Sequence, residues 1–99
     1  MAMRVVWSPE ALADVDAIAA YIAKDSPIYA SAVVQKILDV ARSLDNFPNL
    51  GPIVSEIGES QFRERFVYSY RVIYRVTDEV VMLVAVIHGR RLLTSTMLG

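Results

Sequence analysis

Six arginines stand between positions 62 and 99: Arg63, Arg65, Arg71, Arg75, Arg90 and Arg91, with no lysine among them. Only Glu64, Asp78 and Glu79 oppose these six, so the stretch is net +3. The first 61 positions hold four basic and eight acidic residues, a net of −4, and the overall formal charge of −1 hides this division. A guanidinium is planar, forked and permanently charged, so it grips carboxylates and phosphates in fixed geometry. His88 is the only histidine, and histidine is the side-chain type whose ordinary pKa suits proton transfer near neutrality. The chemistry on offer is the holding of an anionic partner. There is no cysteine, which removes disulfides and thiolate metal sites and fits a reducing compartment. No phosphate-cradling glycine loop, nucleophile motif or metal-ligand cluster stands out, so neither cofactor nor metal is expected.

These residues need elements to position them. Residues 3–7 (MRVVW) read as a short first strand. Ser8-Pro9-Glu10 is a helix start, with Ser8 as N-cap, Pro9 at the first helical position and an acid in the first turn. Leu12, Val15, Ile18, Ala19 and Ile22 follow at helical spacing. Ser26-Pro27 repeats the signal, and a second helix runs to about Asp45 through Ala30, Val33, Ile37, Val40, Ala41 and Leu44. Two helices joined so tightly should form an antiparallel hairpin. The prolines and glycine of 47–52 (FPNLGP) make a loop, and 53–61 is ambiguous. From Phe62 the period becomes two, giving strands over 62–67, 70–77 and 80–88 with Asp78-Glu79 as a tight turn. The tail 89–99 is too short to assign.

If Thr77 faces Val80, strict alternation puts Tyr70, Val72, Tyr74, Val76, Val81, Leu83, Ala85 and Ile87 on one face, the side packed under the helices. The other face then carries Arg71, Ile73, Arg75, Met82, Val84, Val86 and His88, half apolar and half cationic. Phe62 and Phe66 are expected to point to the core, which would set Arg63 and Arg65 beside Arg71 and would need an odd-length turn at Tyr68-Ser69. Two helices adjacent in sequence leave that second face uncovered. Fully burying a Val-sized side chain is worth roughly 1.5–3 kcal/mol, so such a face is expected to bind a partner. The composition agrees, being 55% hydrophobic with a mean hydropathy of +0.38, which is rich for a small monomer.

Ninety-nine residues make one domain. The N-terminus lacks the apolar core of a signal peptide, and the longest apolar run, 80–87, is too short for a membrane helix. An intracellular, cytoplasmic protein is expected, and the net charge argues against autonomous DNA binding.

The order of a first strand, WSPEALADVDAIAAYI, a second helix ending before FPNLG, and FVYSYRVIYRVTDEVVMLVAVIHGRR resembles the RelE/ParE superfamily of bacterial toxins over residues 4–91. The resemblance implies an α+β fold: an N-terminal strand, and a two-helix antiparallel hairpin packed on one face of a twisted antiparallel sheet whose last three strands form a meander. It also implies the toxin half of a type II toxin–antitoxin pair, neutralised by a cognate antitoxin. ParE-like members poison DNA gyrase, whereas RelE-like members cut messenger RNA on the ribosome. The ending VIHGRR looks more like the ParE branch. On the RelE alternative, Arg71 matches the arginine of the YRL-type strand and Arg91 the one after the last strand. His88 would then be the acid–base group, since RNA cleavage wants a base, an acid and cations. The lysines of the preceding strand are missing, and Met97 stands where a late tyrosine would lie. The surface expected to meet antitoxin or target comprises Arg63, Arg65, Arg71, Arg75, Met82, Val84, Val86, His88, Arg90 and Arg91, with Glu64 a spare carboxylate beside it.

Overall fold

The computed structural model describes residues 3–94 and 97. The chain order is β1 (Arg4–Trp7), α1 (Pro9–Ala23), α2 (Pro27–Ser43), β2 (Phe62–Val67), β3 (Tyr70–Val76) and β4 (Val80–His88). Both serine–proline signals cap helices. Ser8 Oγ accepts the Ala11 N–H at 3.0 Å and Ser26 Oγ accepts the Tyr29 N–H at 3.1 Å, each satisfying an amide the helix itself leaves unpaired. Ala11, Val15 and Ile22 of α1 and Ala30, Val33, Ile37 and Ala41 of α2 are buried against Val67, Val72, Tyr74, Val81, Leu83 and Val86. No helix among the described residues is long and apolar enough to cross a membrane.

The four-stranded sheet has the order β1-β4-β3-β2. Its last three strands form the expected antiparallel meander. β1 joins parallel to β4, Val5 beside Val81 and Trp7 beside Leu83, so the sheet is mixed at that edge. The Asp78-Glu79 turn closes as expected, with the Thr77 N–H donating to Val80 O at 2.9 Å. In place of a glycine, Thr77 Oγ1 tightens it by accepting the Val80 N–H at 3.3 Å.

Strict alternation fails once, and the consequences are large. Val76 pairs with Val81 and Tyr74 with Leu83, but then Ile73 pairs with Ala85 and Val72 with Val86. Val84 is the extra residue of a β-bulge, so Val84 and Ala85 both turn to the face away from the helices. Every later residue of β4 exchanges faces. Ile87 lies on the reverse face, while Val86 and His88 lie on the helix side, contrary to the alternating expectation.

A second correction concerns β2. Val67 pairs with Tyr70, so the turn through Tyr68-Ser69 is even in length, and Tyr68 adopts φ +52. Arg63 and Arg65 therefore share the helix-side face with Tyr74 and Val72, and Phe62, Glu64 and Phe66 take the reverse face.

The reverse face is not open either. Residues 52–54 run along the outer edge of β2, with Ile53 bridged to Arg63, the Val54 N–H donating to Phe62 O and the Glu64 N–H to Pro52 O. Val54, Ile73, Val84, Ala85, Ile87 and Leu93 form a second apolar cluster, flanked by Ile57, Phe62 and Met97. The ambiguous segment and the unassigned tail are thus the cover for the apolar half of that face. Both carry apolar residues at too few positions to show a period.

Candidate functional site

The structure separates the ten surface candidates. Arg71 lies on the reverse face as expected, but it is only 5% exposed. Its Nη1 and Nη2 donate to both carboxylate oxygens of Glu56 at 2.6 and 2.8 Å, and its Nε donates to Glu64 Oε1 at 2.6 Å. Nη1 also donates to the Arg91 carbonyl at 3.1 Å, and the Leu93 N–H donates to Glu56 Oε2 at 3.0 Å. One guanidinium therefore ties the 53–61 segment, β2 and the C-terminal segment together. Hydrogen bonds from Arg71 and Leu93 hold the Glu56 carboxyl down at about 2. The same bond to Glu56 raises Arg71, despite burial working the other way. Glu64, read as a spare carboxylate, is a full partner in this clamp.

Arg63 is also committed internally. It donates to the carbonyls of Ser60, Asn49 and Gly51 at 3.2, 3.2 and 2.9 Å, stapling the 47–61 loop to β2. Gly51 is required there, because a Cβ on it would fall 2.2 Å from Glu64 O, and its N–H donates to the buried Tyr74 hydroxyl. Val84 and Val86 are buried. Arg75 and Met82 remain exposed on the reverse face, Arg75 lying 5.9 Å from the Phe62 ring. Arg65 is partly exposed on the helix side, and Arg90 and Arg91 are exposed beyond β4.

The bulge carries His88 to the end of the molecule where α1 crosses the sheet. There a cavity of about 510 Å³ is lined by Asp14, Ile18, Tyr21, Tyr70, His88 and Arg91, among others. The His88 ring meets Tyr70 edge-on at 5.8 Å. Its Nδ1 accepts the Arg90 N–H at 3.2 Å, so a neutral imidazole carries its proton on Nε2. Asp14 Oδ2 accepts the Val86 N–H at 2.8 Å. Burial pushes the Asp14 carboxyl above its usual 3.8, against the lowering effects of that N–H and of Arg91.

Four of the five tyrosines gather at this end. Tyr29 and Tyr68 approach at 6.1 Å between ring centroids. The Tyr70 hydroxyl is raised first by burial, then by neighbouring Tyr29 and Tyr21. Tyr21 is 70% exposed, Tyr68 59% and Tyr29 48%. The available signal was helical phase, since Tyr21 precedes Ile22 and Tyr29 precedes Ala30, both of which lie on the buried stripes.

Two helices packed on one face of a four-stranded mixed sheet, with a strand at the N-terminus, match the RelE/ParE-like toxin fold. The family model of the ParE toxin of type II toxin–antitoxin systems matches residues 5–93. Toxin RelE2 of Caulobacter vibrioides is 34% identical over 90 residues, covering 90% of this chain and 98% of that protein. Among solved structures, the chromosomal ParDE system of P. aeruginosa superposes with a TM-score of 0.71 at 22% identity, covering 87% of this chain and 95% of that one. The archaeal RelE–RelB complex of Pyrococcus horikoshii OT3 gives 0.62 at 16% identity, over 93% and 100%. The chain belongs to the ParE toxin family: it is a type II toxin–antitoxin toxin of the RelE/ParE superfamily.

Proposed function

We propose that this toxin arrests growth by binding DNA gyrase, without catalysis of its own, and that a cognate antitoxin neutralises it by direct binding. Membership of the ParE family supports the target, and the solved relatives described as ParDE and RelE–RelB support the partner. The observation that carries the non-catalytic reading is the Arg71 clamp. Stabilising a pentavalent phosphate needs a cation free to meet it, and Arg71 is already held by two carboxylates at 2.6 Å. His88, its supposed acid–base partner, lies on the opposite face of the sheet. The outward groups Arg65, Arg75, Met82, Arg90 and Arg91 remain for contact with the target.

A second reading keeps the ribosome-dependent endoribonuclease, because His88 and Arg91 do line one cavity together with Asp14. One pair of assays divides the two. Purified toxin should block supercoiling by gyrase and cause linear, cleaved plasmid to accumulate, while messenger RNA on translating ribosomes stays intact. Messenger RNA cut in the ribosomal A site, with gyrase unaffected, would overturn the proposal in favour of the nuclease.

A further inference from the structure

We infer that the outer edge of β1 pairs with the same edge of a second copy of this chain, joining two four-stranded sheets into one. The sheet has two edges, β1 and β2, and only one of them is closed. Residues 52–54 run along β2, with Ile53 bridged to Arg63. On β1, the Arg4 N–H donates to Glu79 O and the Ser8 N–H to Leu83 O, so the even-numbered residues face β4. Parallel pairing then turns the N–H and C=O of Val5 and Trp7 outward. None of the described residues supplies a partner for these four groups, whereas the Met3 N–H is taken by Asp45 O at 2.9 Å. An open edge is a template for another strand, and proteins usually blunt it with charge, proline or a bulge. Here the open edge runs Val5-Val6-Trp7, and Arg4 is the one charge in β1.

This edge is its own complement. Antiparallel pairing about a two-fold axis at Val6 sets Val5 opposite Trp7 of the second copy, and Trp7 opposite its Val5. The eight outward groups of the two copies are then satisfied in four N–H···O bonds. Val6 meets Val6 of the second copy on the reverse face, beside Met82. Arg4 falls opposite Ser8 of the second copy, two residues before an exposed carboxylate, Glu10. Crevices flank the edge: one of about 200 Å³ lined by Val5, Trp7, Leu38 and Ala41, and one of about 440 Å³ lined by Trp7, Phe62 and Met82, among others. Leu38 and Met82 are 37% and 38% exposed, so apolar surface lies ready on both sides of the seam. A foreign strand could take the backbone bonds, but a second copy also matches Arg4 to Glu10 with no further residue. Four residues at about 3.3 Å each make a short seam, so the dimer is weak, dissociating on the order of 10⁻⁵ M.

The inference stands apart from the choice of target and is tested on purified toxin alone. Sedimentation equilibrium over concentrations spanning that value should show monomer passing to dimer. Trp7 is the only tryptophan, so its emission should shift to the blue in step with the mass. Val6→Lys opposes like charges at the axis and should weaken association about tenfold or more, and an equal mixture with Val6→Glu should restore it. The chain has no cysteine, so Val6→Cys with diamide as oxidant should give a disulfide-linked dimer, because a non-hydrogen-bonded antiparallel pair sits within disulfide range. Lys36→Cys, exposed on α2, should not. Toxin that stays monomeric across the range would overturn the inference, whether or not the variants fold. So would a dimer that survives Val6→Lys unchanged, since its contact would lie on another face. Amide exchange at Val5 and Trp7 that slows only when antitoxin or gyrase is added would assign the edge to that partner and overturn self-pairing. Each of these failures leaves the gyrase reading untouched.

Discussion

Arg71 shows how one side chain can change meaning between sequence and structure. Its forked cation suits a phosphate, yet the same fork fits Glu56 in two-point contact while Nε takes Glu64. Removing it would leave two partly buried carboxylates without their counter-charge. Arg71→Ala should therefore cost roughly 3 kcal/mol or more, read as a lower urea midpoint, and Arg71→Lys should rescue little because an ammonium cannot fork. Glu56 also sets an acid limit. Its folded pKa of about 2 lies below the ordinary 4.5, so its contribution is complete above the ordinary value and is lost as pH falls from there towards 2. Glu56→Gln should be less stable at neutral pH and should show a smaller further loss over that acid range.

At the scale of elements, the helices were legible because their boundaries are chemical. A serine that caps and a proline that cannot sit mid-helix mark both starts, and α1 and α2 begin where those residues stand. Ser8 also lies within 3.4 Å of the Val84 carbonyl, tying α1 to the bulge. Ser8→Ala should cost about 1–2 kcal/mol, and more than Ser26→Ala, whose cap is solvent-exposed; thermal midpoints of the two variants check the order. The bulge itself was not legible. Residues 83–86 read Leu-Val-Ala-Val, without the glycine or proline that flags irregular pairing, and only the tertiary cover of Val54 and Leu93 rewards placing Val84 and Ala85 on one side. That single extra residue moved His88 and Val86 across the sheet. Likewise the Tyr68-Ser69 turn hid its parity, because a tyrosine in the left-handed region is an uncommon choice.

Over the whole molecule, the basic C-terminal half is less cationic outside than its composition suggests. Arg71 and Arg63 are spent on internal ties, so four of the six arginines are left to face outward. Free toxin should therefore fail to reach the 10⁻⁴–10⁻⁶ M affinity common for non-specific DNA binding at physiological salt, as measured by fluorescence anisotropy on a labelled duplex. Part of the apolar surplus noted in the sequence seals the reverse face through the chain's own segments, while other large apolar side chains, Tyr21, Ile28, Phe47 and Leu92 among them, stay exposed. The central question is whether Arg71 is a tie or a phosphate grip. The direct measurement is the Arg71 Nε–H resonance in a ¹H–¹⁵N spectrum of free toxin, followed through titration with a single-stranded RNA oligonucleotide. A slowly exchanging signal that does not move is the expected result. A freely exchanging Nε–H, or one that shifts saturably with RNA, would contradict it.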